Sequence, residues 1–123
     1  MDIILENNLT NDIKDRHTLF RLDVFGSSSD QAQSTTQSYA LIDAGKLSLD
    51  DLPSLRAIKL LHESMIDEYR AGQLDAALNK ISMLVGSLGG ELDSFYTVLA
   101  DRINEYLDAG LPSNWNNGVY YLD

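Results

Sequence analysis

Chemistry has few places to start in this chain. Two histidines, His17 and His62, supply its only imidazoles, and cysteine is absent. An imidazole is the one side chain whose unperturbed titration crosses neutral pH, so a general base would be sought there first. His62 lies in the apolar arc of a helical stretch, which predicts a packed, hydrogen-bonded histidine. To act as a base it would need a polar pocket and a carboxylate within hydrogen-bond reach. His17 precedes a strand pattern and is expected to be exposed. Neither has a second histidine at the spacing of a helical zinc site, and no HExxH occurs. Without cysteine there is no thiolate ligand, thiol nucleophile or disulfide. No Gly-x-Ser-x-Gly elbow is present either. Gly86-Ser-Leu-Gly-Gly90 lacks the GK[ST] ending of a phosphate loop and follows a helix where a strand is required. Asp50-Asp51 and Glu91/Asp93 fall at helix starts, where negative charge complements the macrodipole. No calcium-loop spacing appears. The expectation is therefore no catalytic residue, no metal and no cofactor: not an enzyme.

Charge is more informative. Nineteen acidic and nine basic residues give a net charge of −10. Such a chain repels a phosphate backbone, because nucleic-acid affinity comes from Lys and Arg neutralising phosphates. Anionic membrane surfaces are disfavoured for the same reason. A basic protein partner is the natural complement. No apolar run approaches the roughly 20 residues of a membrane span. The start, Met-Asp-Ile-Ile-Leu-Glu, is acidic where a signal peptide is basic. With no cysteine, these features suit a cytoplasmic location.

The 123 residues, 44% of them hydrophobic, suffice for a single domain, 1–123. Within it, 1–16 is an N-terminal segment in which Asn8 or Thr10 would cap one short helix. Residues 17–43 read as a β-hairpin. Thr18 to Phe25 alternates, with Phe20, Leu22 and Val24 on one face and Leu19, Arg21, Asp23 and Phe25 on the other. A polar loop, 26–38, is expected to be mobile, and Ser38 to Asp43 returns as a strand. Ser48 to Asp51 resembles a capping box opening a helical region, 48–109. At about 100° per residue, Leu55, Ile58, Leu61, Met65, Ile66 and Tyr69 share one arc, closed by Gly72. Leu74, Ala77, Leu78, Ile81, Leu84, Val85 and Leu88 make a second stripe. Leu92, Phe95, Tyr96, Leu99, Ile103, Tyr106 and Leu107 make a third, opposite Asp101, Glu105 and Asp108. Residues 110–123 form an extended aromatic tail. The expected fold class is α+β: a two-stranded antiparallel hairpin packed on a three-helix antiparallel bundle.

Two resemblances bear on these elements. Tyr69-Arg-Ala-Gly-Gln-Leu-Asp-Ala-Ala-Leu78, followed by Ile81 and Leu84, resembles the turn between the helices of a tetratricopeptide repeat, present here once. The order LFRLDVFG, loop, SYALID, helix ending YRAGQLDAAL, further helix and LPSNWNNGVYYLD covers most of 17–121. It resembles the hairpin and helical tail that follow the catalytic core of bacterial class III adenylate cyclases. Pro112, Trp115, Gly118 and Val119 match that tail's Pro–Trp–Gly–Val ending, with Asn116-Asn117 in place of an acidic residue. Gly26-Ser-Ser-Ser-Asp30 departs from the family's Lys-Gly turn. A similar layout, with a segment like Gly89 to Tyr96, resembles small tailed-phage proteins. The resemblance implies an accessory part without the enzyme, because the cyclase metal-binding and transition-state residues belong to the core.

The functional expectation is a non-catalytic protein–protein interaction or accessory module, phage- or bacterium-encoded, with a protein partner and no direct nucleic acid or membrane. Trp115, Tyr120 and Tyr121 are its candidate anchors, since aromatic residues dominate interface energetics. Asp101, Glu105 and Asp108 are the candidate acidic contacts. An alternative is an acidic mimic filling a basic nucleic-acid-binding groove, with Glu63, Asp67 or Glu68 extending the strip. A third reading, a small enzyme, requires a polar pocket around His62. A homodimer through an edge of the hairpin is also consistent with the pattern.

Overall fold

The computed structural model of the chain, described over residues 1–26, 34–113 and 115–121, is α+β. In order run β1 (Asp2–Leu5), α1 (Asn11–Arg16), β2 (Thr18–Gly26), β3 (Thr35–Ile42), α2 (Leu55–Arg70), α3 (Leu74–Leu84), α4 (Asp93–Ala109) and β4 (Val119–Tyr121). The hairpin of β2 and β3 forms, but within a four-stranded mixed sheet ordered β1-β3-β2-β4. β1 pairs antiparallel with β3, and β4 pairs parallel with β2. The two-stranded hairpin expected from sequence is thus corrected. A bare hairpin leaves both edges unpaired, and four residues on one side and three on the other are enough to occupy them. So short a strand leaves no period to read.

Local chemistry accounts for the helix boundaries. Thr10 caps α1, its Oγ1 accepting from the Ile13 N–H at 3.2 Å. Ser48 and Asp51 bond reciprocally, Ser48 Oγ donating to Asp51 Oδ2 (2.9 Å) and accepting from the Asp51 N–H (3.2 Å). That box closes a turn ahead of α2 rather than α2 itself, which begins at Leu55 after a 3-10 turn containing Pro53. Gly72, at φ +79°, stops α2 in the left-handed conformation that other residues resist.

The core lies between one sheet face, bearing Phe20, Leu22, Ala40 and Ile42, and the inward stripes of α2, α3 and α4. Met65, Ile66 and Tyr69 come from α2, Ala77, Ile81 and Leu84 from α3, and Phe95, Tyr96, Leu99 and Ile103 from α4. Two residues of the expected stripes are corrected: Val85 and Leu107 are exposed. Val85 is the residue at which α3 unwinds, and Leu107 lies in the last turns of α4. Of the loop expected over 26–38, Gly26 and Thr35 to Ser38 are strand, and 27–33 lie outside the described residues.

A β-bulge interrupts the pairing of β2 with β3. Arg21 pairs with Tyr39 and Val24 with Gln37, so Leu22 and Asp23 together oppose Ser38. Along β3, Thr36, Ser38 and Ala40 share one face and Gln37 and Tyr39 the other. Phe25, opposite Thr36, reaches toward α4 beside Phe95 and Val98, while Val24 stays buried as Phe20 and Leu22 do. The alternation expected along this strand holds in burial, with Phe20, Leu22 and Val24 buried and Leu19, Arg21, Asp23 and Phe25 only partly so. Carbonyls freed by the bulge are satisfied by β3 side chains. Gln37 Nε2 donates to Leu22 O (3.0 Å) and Asp23 O (3.2 Å), and Ser38 Oγ donates to Asp23 O (2.7 Å).

Candidate functional site

His62 is fully buried, with Phe20, Phe95 and Tyr96 around its ring. Its Nε2 lies 2.6 Å from the Arg21 carbonyl, which only accepts, so Nε2 carries the proton. Nδ1 then accepts from the Tyr96 hydroxyl at 2.8 Å. Burial lowers the histidine pKa, partly opposed by the carbonyl, which favours the charged ring. Both nitrogens are committed to structure, and the ring meets aromatic faces instead of a polar pocket. His17 is half-buried rather than exposed, its Nδ1 donating to Ile13 O at 3.0 Å.

His62 belongs to a set of contacts that covers the backbone of the first half of β2. From α2, Lys59 Nζ donates to Leu19 O (2.6 Å) and His62 to Arg21 O, covering carbonyls on the first half of β2. From Val24 onward β4 takes over that edge with its own backbone. Arg70, the last residue of α2, joins the two stretches through Nε to Asn117 O at 3.2 Å. The opposite edge, β1, has no such cover: no side chain of the described residues bonds to the backbone of Asp2–Leu5.

Beside that open edge lies an apolar groove of about 310 Å³, between β1 and the N-terminal half of α4. Ile3, Leu5, Leu22, Phe25, Phe95 and Val98 line it. Ile3 pairs with Ala40 and Leu5 with Ser38, so both point to the helix side of the sheet. They nevertheless stay 57% and 42% exposed, because the helix layer stops short of β1. Val98 faces them from α4 at 56% exposure.

Of the residues singled out in sequence, Tyr120 touches Phe25 of this groove, whereas Asp101, Glu105 and Asp108 lie farther along α4 and do not line it. Tyr120, opposite Phe25 in the sheet, meets its ring edge-on at 6.3 Å, and the Arg102 guanidinium sits 4.9 Å over the Tyr120 ring. Ser94, Val98, Asp101, Glu105 and Asp108 follow one another at spacings of four and three and so form one stripe on α4. The three acids are exposed, and no cation among the described residues pairs with them. Trp115 lies elsewhere, against the core. It is half-buried, packed edge-on between Tyr69 (5.3 Å) and Tyr106 (5.7 Å). Tyr121 is half-buried in β4 opposite Gly26, so the extended tail expected here docks on the sheet as a strand over Val119–Tyr121. Ile3, Leu5, Phe25 and Val98 were missed as site residues. The one signal in sequence was Val98, an apolar residue off the inward arc of its helix.

Fixed ion pairs hold the groove's surroundings. Arg102 grips Asp23 with both nitrogens, Nη1 at 2.8 Å and Nη2 at 3.2 Å, pinning α4 to the bulge. Burial disfavours the Arg102 charge, but Asp23 and the Tyr69 hydroxyl outweigh it and raise its pKa. Arg21 bonds Glu63 (2.9 Å) and Asp67 (2.7 Å), and Lys80 pairs with Glu68. The α2 acids that the mimic reading needs are therefore already matched by cations. A second hollow, about 290 Å³, lies at the other end of β3 with Asp2, His17, Asp43, Lys46, Asp51 and Glu91 on its walls. Among the described residues no cluster has the makings of a metal site, and no helix is long and apolar enough to cross a membrane. Comparison with protein-family models, curated proteins and solved structures finds no match for the chain.

Proposed function

We propose that this chain is a non-catalytic protein–protein interaction module that receives its partner in the groove between β1 and α4. The observation that carries the reading is the uncovered helix-side face of β1. Ile3 and Leu5 point where a core would be, yet remain half in water beside Val98. Contiguous apolar surface next to an unpaired strand is what a partner covers. His62 supports the non-catalytic part, since both its nitrogens serve the fold. An accessory role agrees with the likeness to the non-catalytic end of class III adenylate cyclases and to small tailed-phage proteins. On this reading α2 and α3, parted by Gly72 and packed through the buried Ala77, count as one tetratricopeptide-like pair.

The test is recovery of partners from the cells that encode the protein, using wild type, Val98→Asp and Asp12→Lys as bait. A partner captured by wild type and by the α1 surface variant, but lost with Val98→Asp, is expected. Equal recovery by all three would sink the reading. The acidic-mimic alternative predicts that reversing Glu63 and Asp67 abolishes capture; their pairing with Arg21 argues that it does not.

A further inference from the structure

We propose that Asn117 is a self-modification site: it loses its side-chain amide through a succinimide formed with Gly118, Arg70 gates the reaction, and the product undocks β4. The site lies in the turn that delivers the C-terminal strand to the sheet. Across it the Val119 N–H donates to Asn116 O at 3.0 Å. Asn117 and Gly118, the two central residues, have φ angles of +50° and +77°, so the turn is type I′. Asn117 is exposed, and the glycine after it has no Cβ to hinder attack by its own nitrogen.

The reaction consumes only water. The Gly118 nitrogen gives its proton to solvent and bonds to Asn117 Cγ; the Cγ–Nδ2 bond breaks, and ammonia leaves with a proton from solvent. Water then opens the ring at Cγ, giving aspartate, or at the main-chain carbonyl carbon, giving isoaspartate. In isoaspartate the main chain runs through Cβ and Cγ and is one methylene longer.

Ring closure needs the Gly118 nitrogen to eclipse Cβ, which sets the Asn117 ψ to about −120°, the value at this position of a type II′ turn. A type I′ turn holds that ψ near about +30°. The change keeps the Asn117 φ and flips the central peptide, swinging the Asn117 carbonyl to the other side of the turn. That carbonyl is held. Arg70 Nε donates to it at 3.2 Å, while Arg70 Nη1 donates to Oε1 of the buried Gln37 at 3.3 Å. The flip therefore waits for Arg70 to let go. Nor does the product fit the old seat. Even a Cβ on Gly118 would lie 3.1 Å from Tyr69 Cε2 and 3.2 Å from Arg70 Cγ, which leaves no room for an added methylene beside it. β4, paired from Val119 onward, then loses its register on β2, and Tyr120 leaves the Phe25 ring at the groove.

The experiment follows the whole protein by peptide-mapping mass spectrometry during incubation in mildly alkaline buffer. The same chain in denaturing urea sets the ungated rate. Folded wild type is expected to gain isoaspartate at Asn117 roughly tenfold or more slowly than in urea, because reaction requires local opening. Arg70→Met should react roughly fivefold or more faster than wild type, whereas Thr10→Ala, which uncaps the distant α1, should not. The isoaspartate product should lose hydrogen-exchange protection at the amides of Val24 to Gly26. No product at Asn117 in urea, a folded rate equal to the rate in urea, or equal rates for Arg70→Met and wild type would each overturn the proposal. So would equal acceleration in Thr10→Ala, or an isoaspartate product that keeps the protection of wild type.

Discussion

His62 joins β2 to α4 through a single ring, and its burial makes folding sensitive to pH. Its folded pKa lies below the ordinary 6.5, which the unfolded chain retains. Between the two values the unfolded chain binds the extra proton, so stability rises with pH through that window. The contribution is complete above about pH 6.5 and is lost as pH falls through it, by up to ~1.4 kcal/mol per pH unit. Urea midpoints should therefore drop from pH 7.5 to pH 5, and His62→Gln should show a smaller drop; an unchanged drop would remove His62 as its source. At Arg102 the effect is one of pairing. Arg102→Leu leaves the mostly buried Asp23 carboxylate without its fork, at an expected cost of about 1.5 to 3 kcal/mol, the range for hydrogen bonds to charged groups. A urea midpoint within error of wild type would contradict this account of how α4 is held.

The bulge and the C-terminal strand are the elements on which the site depends. Gln37→Leu withdraws the donor from the carbonyls of Leu22, Asp23 and Ser38. A loss of about 1 to 3 kcal/mol is expected for leaving them unsatisfied, measured by thermal or urea unfolding. Gly118 sits at φ +77°, where a Cβ would lie 3.1 Å from Tyr69 Cε2 and 3.2 Å from Arg70 Cγ. Gly118→Ala should cost about 1 to 2 kcal/mol for the left-handed backbone, plus the clash. Because Trp115 is the chain's single tryptophan and rests on Tyr69 and Tyr106, its emission reports this directly. A red-shifted native spectrum in Gly118→Ala is expected if β4 lifts from the sheet. An unshifted spectrum would mean that Trp115 and β4 dock independently.

For the molecule as a whole, ten excess negative charges repel one another in any compact form. Salt screens this over about 8 Å at physiological strength, so the melting temperature should rise between ~10 and ~150 mM NaCl. A fall would show that the internal pairs of Arg21, Arg102 and Lys80 outweigh the repulsion. Cover over β2 is also a property of the whole. α2 and β4 share the task of covering β2, and nothing in the described residues does the same for β1.

The sequence by itself determined the α+β class, the three long helices and their inward stripes, the β2 and β3 strands, the buried His62 and the exposed acids of α4. Each repeats a period or ends in a capping residue, so neighbours along the chain carry the signal. Only the tertiary structure decided the rest. β1 and β4 are too short to show a period and exist because β3 and β2 present unpaired backbone. The bulge is set by how two strands register, and Phe25 beyond it meets Phe95 and Val98 at the groove. Whether Trp115 packs or stays free was decided by Tyr69 and Tyr106, both on helices earlier in the chain, which hold it edge-on. The groove itself is a place that the helix layer fails to reach, and such a gap belongs to no residue. Its walls were visible in the sequence as Ile3, Leu5 and Val98, but their meeting was not.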